Sequence, residues 1–151
     1  SIYTAFSAEN YIRNTLPHLK TMCNIEEFRK MKVPFQEDYH PELEMSELLS
    51  GPDISKYKSL IGSGNWLITL GRFDIQYAIS ALSQYSMAPW HGYMEALHKV
   101  FGYLTKYPGY MILIDIADPS IHKETVITTD QNWIEFYPDA VKDTSLMPLH
   151  L

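Results

Sequence analysis

The chain has 151 residues, 46% apolar and 13% aromatic, which is one domain's worth, or a segment of something larger, and argues against disorder. A net charge of −6 counts against this piece alone holding nucleic acid, because phosphate binding depends on clustered Lys and Arg. Cys23 is the single cysteine, which removes an intrachain disulfide or a cysteine-based zinc cluster and suits an intracellular setting, and no apolar run approaches the roughly 18 residues of a membrane span.

Ile2, Tyr3 and Phe6 alternate well enough for a short strand. With no initiating Met and no secretory pattern, "SIYTAFSAENY" reads as an excerpt that begins mid-fold. Ser7 is placed to cap a short helix, with Glu9 meeting the helix dipole. Tyr11, Ile12, Thr15, Leu16 and Leu19 make one face of it, and Pro17 should kink or shorten it. Residues from about 23 to 53 are mixed in period, rich in Glu and punctuated by Pro34, Pro41 and Pro52. They read as an extended acidic connector, packed in places by Phe28, Phe35, Leu43 and Leu48.

Ser55 is then placed to cap a helix with Tyr57, Leu60, Ile61, Gly64, Leu67 and Ile68 on one face. Gly71 should end it in a left-handed conformation, and Asp74 should cap a second helix carrying Ile75, Ala78, Ile79, Leu82 and Tyr85. After Pro89, a third helix over about 90–106 puts Met94, Leu97, Val100, Phe101 and Leu104 on one stripe, and "YPG" stops it. Three such helices with short joints pack as a small antiparallel bundle. "YMILIDI", 110–116, is a strand, with "TVITT" as its partner across the Asp118-Pro119 loop. Residues from Asn132 onward read as irregular. The fold class expected is α+β: an N-terminal strand and helix, the three-helix bundle, and a short β-hairpin.

The residues offer little chemistry of their own. "GSG" at 62–64 lies inside a helical pattern rather than after a strand, so it reads as close packing, not a phosphate loop. His91 and His98, seven apart on one helix, lack a third ligand and make a poor metal site; His40 reads as a loop residue. No GxSxG elbow is present. Asp115 and Asp130, at strand ends, are a candidate carboxylate pair of the kind a two-metal nuclease needs, against the plainer reading of a solvent-facing strand residue and a turn residue.

The stretch "YKSLIGSGNWLITLGRFDIQYAISALSQYSMAP…HKVFGYLTKYP" closely resembles copia-type retrotransposon Pol polyproteins, between the polymerase active site and RNase H. That family carries a Y-x-x-L-I-G helix, matched by Tyr57, Leu60, Ile61 and Gly62. An R-x-D-I-x-[FY]-A helix ending in L-S follows, matched by Arg72, Asp74, Ile75, Tyr77, Ala78, Leu82 and Ser83. Pro89, Ala96, Lys99, Val100, Tyr103 and Leu104 fit its third helix, and "DYHPELEMSELL" and "NWIEFYPDA" resemble its flanks.

The resemblance implies the end of the palm over 1–22, an acidic connector over 23–54, a thumb-like bundle over 55–107, and connection strands over 108–151 leading toward RNase H. It implies a non-catalytic segment of an RNA-directed DNA polymerase. Neither the Tyr-x-Asp-Asp turn nor the RNase H carboxylates are in the chain, so no catalytic residue or cofactor belongs to this segment, and Mg²⁺ belongs to the full polymerase. Its partners would be an RNA–DNA or DNA duplex, together with the palm and RNase H domains, in a cytoplasmic particle or the nucleus. Lys56, Lys58, Arg72, Lys99 and Lys106 are the candidate phosphate contacts and Trp66 a candidate stacking residue. The alternative is a decayed orphan remnant, or a protein-interaction module without activity of its own.

Overall fold

The computed structural model describes residues 2–116. The expectations for "TVITT", the Asp118-Pro119 loop, Asp130 and the chain from Asn132 onward lie outside those residues.

A five-residue strand, β1 (Tyr3–Ser7), runs into α1 (Glu9–Cys23). Ala8 stands at the cap position, and the Ser7 hydroxyl accepts the Glu9 N–H at 3.2 Å, so the serine signal lies one residue early. The helix continues through Pro17, which faces solvent, where the missing N–H harms packing least; it neither stops nor shortens there. Asn24 ends α1 in the left-handed region, at φ 55°.

The connector crosses the helices with little regular structure beyond a turn at Pro41–Leu43. Phe28 and Leu49 are buried and Phe35 half-buried, whereas Leu43 and Leu48 are exposed, so Leu49 takes the interior place expected of Leu48. α2 (Gly51–Thr69) starts four residues before the expected Ser55 cap. Ser50 is its cap residue, Pro52 sits in the first turn where its fixed φ suits a helix, and Ser50 donates to the Asp53 carboxylate at 2.9 Å.

Gly71 ends α2 as expected, at φ 105°, with the Gly71 N–H on the Ile68 carbonyl and the Arg72 N–H on the Leu67 carbonyl, each at 3.0 Å. This is a Schellman turn, in which left-handed geometry favours glycine. A single 3-10 turn (Phe73–Ile75) leads into α3 (Gln76–Ser83), and α4 spans His91–Lys106.

The expected apolar stripes are the ones that meet. Leu60, Leu67, Ile75, Ile79, Leu82, Leu97, Val100, Phe101 and Leu104 are among the core residues. Ile12 and Leu19 of α1 join them, so four helices share the core rather than three. β2 (Met111–Asp115) pairs antiparallel with β1, Tyr3 opposite Asp115 and Ser7 opposite Met111. The chain is therefore α+β, with four helices and a two-stranded antiparallel sheet among the described residues.

Candidate nucleic-acid interface

The outer face of α2 is read directly from its helical period. Ser55, Lys58, Ser59, Gly62, Asn65, Trp66 and Thr69 are its exposed residues beyond the first turn, at spacings of three and four. Lys58 is the only charge among them, so no carboxylate opposes it on that face. Trp66 is 51% exposed, a large aromatic surface left in water. A Cβ on Gly62 would meet nothing within 4 Å, so the expected packing role falls to Gly64 alone. Gly64 lies against the Ile79 side chain of α3, with no room for a Cβ.

Two other candidates are engaged within the fold. Lys56 is half-buried and donates to Asp53 at 2.9 Å, one helical turn away. Arg72 is 1% exposed and is the largest side chain buried completely. Its Nε and Nη2 donate to the two Asp74 oxygens at 2.9 and 2.7 Å, and its Nη1 donates to the Tyr107 carbonyl at 2.9 Å. The Tyr103 and Tyr110 rings flank the guanidinium at 5.9 and 5.8 Å.

Asp74 makes no helix-capping bond, contrary to expectation. The 3-10 turn carries its carboxylate back onto Arg72 instead, and the Tyr103 hydroxyl donates to it at 2.8 Å. Burial works to raise the Asp74 carboxyl, and the bonds from Arg72 and Tyr103 overcome that and hold it below the ordinary aspartate value. Burial, and then donation to Asp74, push the Tyr103 phenol up to about 12. Arg72 thus joins the end of α2 to the end of α4 from inside the fold. The expected ion pair is present; the phosphate contact is not available to a guanidinium with this burial.

Lys99 and Lys106 lie on α4. The Lys99 ammonium donates to the Gln36 side chain at 3.1 Å, and the Lys106 ammonium sits 5.2 Å from the Tyr107 ring centre. Neither holds a carboxylate among the described residues.

His91 and His98 line a cavity of about 170 Å³ with Cys23, Leu49, Asp53, Lys56 and Met94. Burial raises the Cys23 thiol and lowers the His98 imidazole, whose Nε2 is buried without a hydrogen-bond partner. Lys56 already holds Asp53, and no group of three or more His, Cys, Asp or Glu among the described residues is arranged to hold a metal ion. Asp115 is exposed on β2.

Lys58 and Trp66 stand out in the sequence as candidates, and Gly62, read there as packing, lies four residues from each on the same face. That spacing was the available signal. No family model matches the chain, and no match was found among curated proteins or solved structures.

Proposed function

We propose that the chain is a non-catalytic segment of a copia-type reverse transcriptase, in which α2, α3 and α4 form the thumb-like bundle and help hold the primer–template duplex. In this reading the polymerase supplies its own Mg²⁺ and carboxylates, and the polyprotein works inside the cell. The motif running from Tyr57 to Leu104 supports the reading, and the outer face of α2 carries it. Lys58 offers a phosphate contact without a competing carboxylate, Gly62 lets a sugar–phosphate edge approach the helix backbone, and Trp66 offers a ring to a sugar or base.

The test is a salt-dependent mobility-shift titration with an RNA–DNA hybrid. Lys58→Gln/Trp66→Ala should bind about ten- to a hundredfold more weakly than the parent chain. Absence of parent binding at low salt would overturn the reading for this chain. The nuclease alternative predicts Mg²⁺-dependent cleavage of the same hybrid that is lost in Asp115→Asn, and no cleavage is expected.

A second reading, a protein-interaction module, is favoured by the β1–β2 ribbon. It exposes Ile2, Phe6, Leu113 and Ile114, and an open groove of about 440 Å³ lies between its inner side and Leu70, Gly71 and Phe73. That reading predicts no hybrid binding at any salt concentration.

A further inference from the structure

The cations of the described residues fall into two sets. Arg13, Lys20, Lys56 and Arg72 each hold a carboxylate, on Glu9, Glu27, Asp53 and Asp74 respectively, at 2.6 to 2.9 Å. Arg29, Lys30, Lys32, Lys58, Lys99 and Lys106 hold none. Apart from Lys58 on α2, this second set lies on two segments that cross at one place.

That place is Gly102, a buried residue of α4. The Arg29 carbonyl packs against it where a Cβ would stand, and the Met31 side chain lies 3.5 Å from the same point. Phe28 pins the crossing, buried with its ring centre 5.5 Å from that of His98 and 5.6 Å from that of Phe101. Lys99 and Lys106 stand three residues before and four after Gly102, and residues at those spacings share a helix face. The backbone that carries the exposed residues Arg29, Lys30 and Lys32 therefore crosses α4 at a point that has a further cation on either side of it along the helix.

Gathering like charges is unfavourable without a counter-charge. The tethers at the crossing are apolar or backbone contacts and the Lys99 bond goes to the neutral Gln36, so none of them supplies a counter-charge. The nearest acidic residues border the cations along the chain: Glu95 one turn before Lys99, Glu26 and Glu27 before Phe28, and Glu37 and Asp38 after Gln36. Glu27 is already held by Lys20 at 2.8 Å. Such a border suits a narrow polyanion, a single sugar–phosphate strand, better than a broad acidic protein surface. From Lys99 to Lys106 is about 10 Å along a helix, which matches about three successive phosphates of one strand.

We propose that the crossing of the connector over α4 is a phosphate-backbone site for a nucleic-acid strand, separate from the outer face of α2. The site rests on the reading of the chain as a segment that handles nucleic acid. Arg29, Lys30 and Lys32 supply the entering charges, and Lys99 and Lys106 complete the track.

The test uses the whole chain with an RNA–DNA hybrid and, separately, single-stranded RNA, titrated from about 50 to 200 mM salt. Arg29→Gln/Lys30→Gln/Lys32→Gln should flatten the slope of log affinity against log salt by about two to three on the hybrid. The change should be about a quarter smaller on the single strand. Circular dichroism and an unchanged urea midpoint confirm that this exposed triple variant folds. An unchanged slope overturns the site. If only Lys58→Gln/Trp66→Ala weakens binding, the α2 face stands and this site falls; if only the triple variant does, the reverse holds. Displacement of the strand by polyglutamate at equal charge concentration overturns the assignment to nucleic acid, and a parent chain that binds neither probe overturns both sites.

Discussion

Arg72 and Asp74 act as one unit, and the consequences of changing them are unequal. Asp74→Ala strands a buried guanidinium and should lower unfolding free energy by about 3–5 kcal/mol, read from urea denaturation. Arg72→Met/Asp74→Leu removes both charges and should be less destabilised than Asp74→Ala alone, so the two effects will not add. The Asp74 carboxyl lies below its ordinary value of 3.8 in the fold, so the unfolded chain binds the proton first. Its contribution is complete above that value and disappears as pH falls through the folded pKa; a pH series of urea midpoints below about 5 should be flatter in Asp74→Asn. His98 has the same sign for a different reason. Burial, opposed by Glu95, holds its imidazole below 6.5, so its neutral form supports the fold above that pH and the support is lost in acid. His98→Gln should therefore reduce the stability change between about pH 7 and 5, measured by thermal melts. The pairing of Arg72 with Asp74 was legible from their two-residue spacing at a bend. Its burial was not, because the tyrosines that enclose it, Tyr103 and Tyr110, arrive from about thirty to forty residues further along the chain.

On α2, two glycines two positions apart, Gly62 and Gly64, do opposite things, and their substitutions should diverge. Gly62→Ala fills open space on a helix surface and should raise stability by about 0.5–1 kcal/mol, the usual helix-propensity difference. Gly64→Ala gains the same propensity but drives a methyl into the fully buried Ile79, and overpacking of about 1–3 kcal/mol outweighs it. Chemical denaturation of the two variants beside the parent decides this by sign. The inward stripe of α2 was legible because Tyr57, Leu60, Ile61, Gly64 and Leu67 recur at helical spacings of three and four. Its start was not, since Ser50 and Ser55 are both competent caps, and Gly51-Pro52 resembles a loop until Pro52 is placed in the first turn. Gly102 carried no local signal either, because the Arg29 carbonyl that excludes a side chain there lies more than seventy residues away in sequence.

Across the whole molecule, helical stripes disclosed the core and its class, whereas β-pairing stayed hidden. A strand pattern states which residues alternate, not which strand lies beside it, and β1 and β2 are separated by all four helices. The ribbon they form is exposed on nearly every residue, and two strands alone are marginal in water. Its amides should exchange with deuterium far sooner than those of Leu97 to Leu104 in α4, which hydrogen-exchange mass spectrometry can resolve. The ribbon's register also sets an order of events during synthesis. α1 must wait for α4 to complete its share of the core, and Phe6 waits longer still, for Ile112, before its strand has a partner. At about 5–20 residues per second, a ribosome leaves β1 unpaired for roughly 5–20 seconds, and an apolar strand edge in that interval is the part of the described residues most open to mispairing with another chain.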